Sequence, residues 1–175
     1  MPDRAPERAK TLDVGLEKLL ASISLPPRRQ AIAEVRTYLQ RQDADMGHRN
    51  NVLGILRIKT SWNEVFITVG PEFDKGPTEF HFHLESGSRL SFGITLSETN
   101  QGCSLVAYRF QLNLPEACSP SFYRFDLNRE AHQTPLLEPR CHFHPGAKDI
   151  RIPLLPLTPL EVLDRIFLVI EPQLL

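Results

Sequence analysis

Two short runs in the chain carry histidines two residues apart: Glu79-Phe80-His81-Phe82-His83-Leu84-Glu85 and Arg140-Cys141-His142-Phe143-His144. Successive side chains of a β-strand point to opposite faces, so each pair sets both imidazoles on one side, about 6.6 Å apart at ~3.3 Å per residue. In the first run His81 and His83 share their face with Glu79 and Glu85, opposite Phe80, Phe82 and Leu84. In the second, Arg140, His142 and His144 share a face, and Cys141 and Phe143 oppose them. A guanidinium beside two imidazoles suits acid–base work on a phosphodiester, one histidine as base, the other as acid, the arginine on the phosphate. A site of that kind cleaves RNA without a cofactor, because the ribose 2′-hydroxyl is the nucleophile.

The same imidazoles are metal ligands if they stay neutral and find further donors. Were the two strands neighbours, His81, His83, His142 and His144 would together hold zinc or another transition metal; held apart, they are expected to bind none. Both runs also have plain structural explanations, the first as the solvated side of a sheet, the second as histidines tying a strand end to backbone carbonyls. Upstream, Arg124 and Asp126 alternate with Tyr123, Phe125 and Leu127, forming a polar face that adjoins the histidines or simply closes a cross-strand ion pair. His132 follows on a loop and is a further candidate. Cys141 is expected to point inward as a core residue, not a nucleophile. Trp62 and the polar segment 47–51 offer unspecific surface for partners.

The elements that must position these residues are read from apolar periodicity. Residues 1–10 are polar and charged and are expected to lack fixed structure, and residues 11–175 to form a single α+β domain. Leu12, Leu16, Leu19, Leu20 and Ile23 recur at helical spacing, and Ala31, Ile32, Val35, Tyr38 and Leu39 repeat the pattern. Together they predict an N-terminal helical hairpin over 11–43, turned at Leu25-Pro26-Pro27. Period-two runs then predict an antiparallel sheet of six to seven strands over 52–152, including a hairpin over 79–96. Cys103, Leu105 and Ala107 are apolar on odd positions but Tyr108, Phe110, Leu112 and Leu114 on even ones, a slip that demands a bulge near Ala107. Thr158-Pro159-Leu160-Glu161 reads as a capping box with proline at the first helical position, opening a helix over 158–171. That helix is apolar nearly all round, which suits burial in the chain's own core or against a second copy in a homodimer.

Composition narrows the classes. A formal charge of -1 gives no general basic excess, so any RNA contact needs a local cationic patch. Three cysteines at wide spacing suggest neither a disulfide framework nor a zinc knuckle, and a reducing, cytoplasmic setting is expected. No apolar run reaches the ~20 residues that cross a bilayer, so no membrane partner is expected.

The order Tyr123-Arg124-Phe125-Asp126-Leu127-Asn128, His132, His142-Phe143-His144, a proline-rich stretch and Thr158-Pro159-Leu160-Glu161-Val162-Leu163 resembles the C-terminal part of the TumE-family toxins of bacterial toxin–antitoxin pairs. The likeness covers about a quarter of the chain. It departs from the family in carrying Arg-Phe-Asp and a single histidine at 132. The resemblance implies a nucleic-acid-directed protein, such as an RNase, with a cognate antitoxin, and makes His132, His142 and His144 the residues to follow. Cupins also hold a metal with His-x-His on a strand, but their glutamate falls three or four residues after the second histidine, whereas Glu85 falls two after His83. The functions in competition are therefore an RNase-like or RNA-processing protein using His142, His144 and Arg140 or Arg124, a non-catalytic regulatory protein acting through protein contacts, and a metal-dependent small-molecule enzyme.

Overall fold

A computed structural model describes residues 18–20, 23–70, 81–130 and 139–175. Its centre is an antiparallel sheet of strands β2 (Arg57–Ser61), β3 (Glu64–Val69), β5 (Arg89–Thr99), β6 (Gly102–Asn113), β7 (Phe122–Leu127), β8 (Cys141–His144) and β9 (Ile152–Pro153), paired in that order. Two short strands, β1 (Ser24–Leu25) and β4 (Phe82–His83), add to β6 and β5, making nine among the described residues against the six to seven expected. One face is apolar. Phe92, Phe110, Phe125 and Phe143 lie in register across four neighbouring strands on that side, with Phe92 stacked on Phe110 at 5.1 Å and Phe125 tilted against Phe143 at 4.8 Å.

Helix α1 (Arg28–Asp45) covers part of this face with Ala31, Val35 and Leu39, spaced four apart so that they lie on one stripe. Helix α2 (Val52–Ile55) is a single turn capped by the Asn51 side chain. Helix α3 (Pro159–Asp164) opens on the expected capping box: the Glu161 N–H donates to Thr158 Oγ1, and the Thr158 N–H donates to the Glu161 carboxylate. It continues as a π-helical turn over Arg165–Ile170 and a 3-10 turn over Glu171–Gln173. Val162, Leu163, Ile166 and Phe167 are buried on the sheet, but Leu168 and Val169 are exposed, so the helix is covered on one side only. Tyr38 donates from its hydroxyl to Asp164 at 2.7 Å, which ties α1 to α3.

The phase slip resolves as expected. Thr95 pairs with Ala107 and Leu96 with Leu105, so Val106 is the extra residue of a bulge that lets both apolar sets face the helices. The N-terminal hairpin fares differently. Residues 1–17, which include Leu12 and Leu16, lie outside the described residues, and although residues 18–20 are helical, Ser24–Leu25 is a strand paired with Cys103 and Ser104. α1 also runs two residues past the expected end at residue 43. Its last turn has a second job: Asp43 accepts from the Asn50 N–H and side-chain amide at 2.7 and 2.9 Å, and Asn50 in turn brackets the backbone of His83, accepting from its N–H at 2.7 Å and donating to its carbonyl at 3.0 Å. The polar segment before the sheet thus satisfies the outer edge of β4.

Candidate functional site

The opposite face of the sheet is polar, and register decides what meets on it. β6, β7 and β8 run side by side so that Arg109 pairs with Asp126 and Asp126 with His142, while one step along Gln111 pairs with Arg124 and Arg124 with His144. Direct cross-strand partners share a face. Asp126, His142 and His144 are therefore brought together, with their ligand atoms all within 4.8 Å of one another. Their side chains are 3 %, 3 % and 0 % exposed, so solvent contributes almost nothing to their polar demands.

Arginines answer part of that demand. Arg124 donates from Nε to Asp126 Oδ2 at 2.7 Å and from Nη2 to His144 Nε2 at 2.7 Å, and Arg109 donates from Nε to Asp126 Oδ1 at 3.0 Å. Each histidine is fixed at its other nitrogen by a backbone carbonyl: His142 Nδ1 lies 2.6 Å from the Pro139 oxygen, and His144 Nδ1 lies 3.2 Å from that of Ala147. A carbonyl can only accept, so both Nδ1 atoms carry hydrogen. Burial lowers the pKa of both imidazoles, helped at His144 by the Arg124 charge and at His142 by its neighbours His144 and Arg151, which favours neutral rings with a lone pair on Nε2. The Nε2 atoms of His142 and His144 point at Asp126 Oδ2 from 3.5 and 3.3 Å. Gly146, at φ 91°, makes the turn that returns Ala147 to His144; a Cβ there would collide with Pro120.

The other candidates separate from this group. Arg140 sits before β8 and is buried, with Nε donating to the Asn128 carbonyl at 3.1 Å, and it is Arg124 that stands beside the histidines. The alternation that put Arg140 with His142 holds only inside a strand. His132 lies outside the described residues. His81 stands just before β4 and is buried, whereas His83 on β4 is exposed, so the two do not share a solvated face as expected; β4 borders β5. With β5, β6 and β7 between them, β4 and β8 are about 19 Å apart at ~4.8 Å per strand, so the four histidines do not converge. Cys141 points inward as expected, hydrogen-bonded with the Tyr108 hydroxyl at 3.5 Å, and burial pushes its thiol pKa up.

Sequence reasoning missed the depth of the site and the part played by Arg109. The one available signal was alternation in β6, which sets Arg109 on the side opposite Tyr108 and Phe110. Beside Asp126 the polar face opens into a groove of about 470 Å³ whose lining includes Lys59, Phe66, Gly93, Arg109 and Arg129. No helix among the described residues is long and apolar enough to cross a membrane. Compared with family models, curated proteins and solved structures, the chain gives no match.

Proposed function

We propose that the protein is RNA-directed, an RNase-like or RNA-processing protein that lays single-stranded RNA along the polar face of its sheet. The observation that carries this reading is the groove beside Asp126. The rows that form it bear the cations Arg57, Lys59, Arg109 and Arg129 against the carboxylates Glu64 and Asp126, a local positive excess in a chain whose formal charge is -1. Phe66 is half-buried among them and offers a ring for a base to stack on, and Gly93 leaves the floor flat beside it. RNA meets the polar network at Arg109, whose side chain is 51 % exposed, and not at the covered imidazoles, so the two histidines act on it through Asp126 and Arg124. In this arrangement a histidine pair working directly as base and acid is disfavoured, since neither ring has an exposed edge for a ribose to reach.

Fluorescence anisotropy with a short single-stranded RNA tests the reading. Phe66→Ala should weaken binding about tenfold through lost stacking, and Lys59→Gln should lower the slope of log K against log salt by about one ion. Wild-type protein that ignores RNA even at low salt would overturn it. In that event the second reading gains: an apolar groove of about 510 Å³ between Phe125, Phe143, Leu155 and the end of the C-terminal helix, with Leu155, Leu168 and Val169 exposed at or near its rim, suits a protein partner such as an antitoxin or a second copy of the chain.

A further inference from the structure

We propose that Asp126, His142 and His144 form a binding site for one divalent transition-metal ion, zinc being the best fit, and that Arg124 competes with the ion for the same ligand atoms. Geometry carries the argument. With the Nδ1–H groups of both histidines held by the Pro139 and Ala147 carbonyls, each ring offers Nε2 as its remaining donor atom, and both Nε2 atoms turn toward a single carboxylate oxygen. A backbone carbonyl on the far nitrogen is the arrangement that orients metal-ligating histidines and fixes their tautomer. The two nitrogen-to-oxygen spacings, 3.5 and 3.3 Å, match the edge of a tetrahedral site with bonds of 2.0 to 2.1 Å, which is about 3.4 Å. Asp126 is likewise prepared: Arg109 holds Oδ1, which leaves Oδ2 to face the histidines.

Electrostatics point the same way. A lone pair on His142 Nε2 facing a carboxylate oxygen at 3.5 Å is repulsive until a cation lies between them. Arg124 supplies positive charge from one side, bridging Oδ2 and His144 Nε2. An ion at the centre would serve all three atoms and displace the guanidinium, since two cations cannot share these donors. Two imidazoles, one carboxylate and a fourth position left to water is the donor set of a catalytic centre, and of borderline ions such as Zn²⁺, Co²⁺ and Fe²⁺, not Mg²⁺ or Ca²⁺. The inference does not rest on the RNA reading; the residues tested below are separate from Phe66 and Lys59.

The test is a titration of the full chain, expressed without a histidine tag and stripped with chelator, with Co²⁺ followed by its visible absorption, alongside elemental analysis of the protein as purified. One ion per chain is expected, with Zn²⁺ displacing Co²⁺. Asp126→Asn and His142→Ala should each weaken binding by more than about 100-fold, the upper range for loss of an outer-shell partner, whereas Arg109→Gln should weaken it only about tenfold. Because removing a ligand from a buried network can unfold the protein, Arg124→Met is the decisive variant: with the competitor gone and the ligands intact, affinity should rise at least about tenfold. No saturable Co²⁺ binding in the folded wild type overturns the site. Affinity unchanged or reduced in folded Arg124→Met overturns the competition.

Discussion

The run that ends on β4 and the one that lies on β8 carry the same His-x-His signature and end in different surroundings. On β4, a two-residue strand bordering β5, His83 is exposed and its backbone is held by Asn50. On β8, set between β7 and β9, His142 and His144 are buried, each held at Nδ1 by a carbonyl and each facing Asp126. The signature is identical and the neighbour is not. What makes a histidine pair into a polar centre is the strand beside it: β7 offers Arg124 and Asp126 to β8, whereas β5 offers Leu90 and Arg89 to β4.

The comparison breaks most visibly at Asp126. Asp126→Ala strands two arginines, one of them 14 % exposed at the side chain, without their shared acceptor, and should cost about 3–5 kcal/mol in urea unfolding. A cost under about 1 kcal/mol would show the network to be less coupled than its distances indicate. Next in size is the loss of the bracket on β4: Asn50→Ala removes two hydrogen bonds from the His83 backbone and should cost about 1–3 kcal/mol, with faster amide exchange at His83.

Acid should separate the two pairs further. Burial holds the His142 and His144 pKa values below 6.5 in the folded chain, so as pH falls through 6.5 the unfolded state takes up more protons than the folded one. Their stabilising contribution is therefore complete above about pH 6.5 and is lost below it. The melting temperature should drop between pH 7.5 and 5; that drop should shrink in His142→Gln and persist in His83→Ala. The smallest effect is expected from His83→Ala itself, within about 0.5 kcal/mol of wild type at pH 7.5.

How much of this was legible depended on whether an element is half-buried. Alternation exposed the Val106 bulge, the inward Cys141 and the common side of His142 and His144, because a strand with one wet and one dry face writes its register into the sequence. β2 was invisible for the opposite reason: all five of its residues are exposed and nothing alternates. The capping box was readable because it is local, whereas the meeting of Asp126 with His142 is set by the pairing of β7 with β8 across the 13 residues 128–140, which no local pattern encodes. Of the two candidate arginines, Arg140 fell away because it stands before β8, where strand alternation does not hold.

The most direct test of the β8 centre is the tautomeric state of its two imidazoles, read from long-range ¹H–¹⁵N correlation spectra of the chelator-treated protein at pH 7.5, with His142→Gln and His144→Gln supplying the assignments. Both rings should show a protonated Nδ1 and a bare Nε2, and added zinc should shift the Nε2 signals alone. Rings protonated at both nitrogens, or carrying hydrogen on Nε2 instead, would contradict an arrangement in which two lone pairs converge on Asp126.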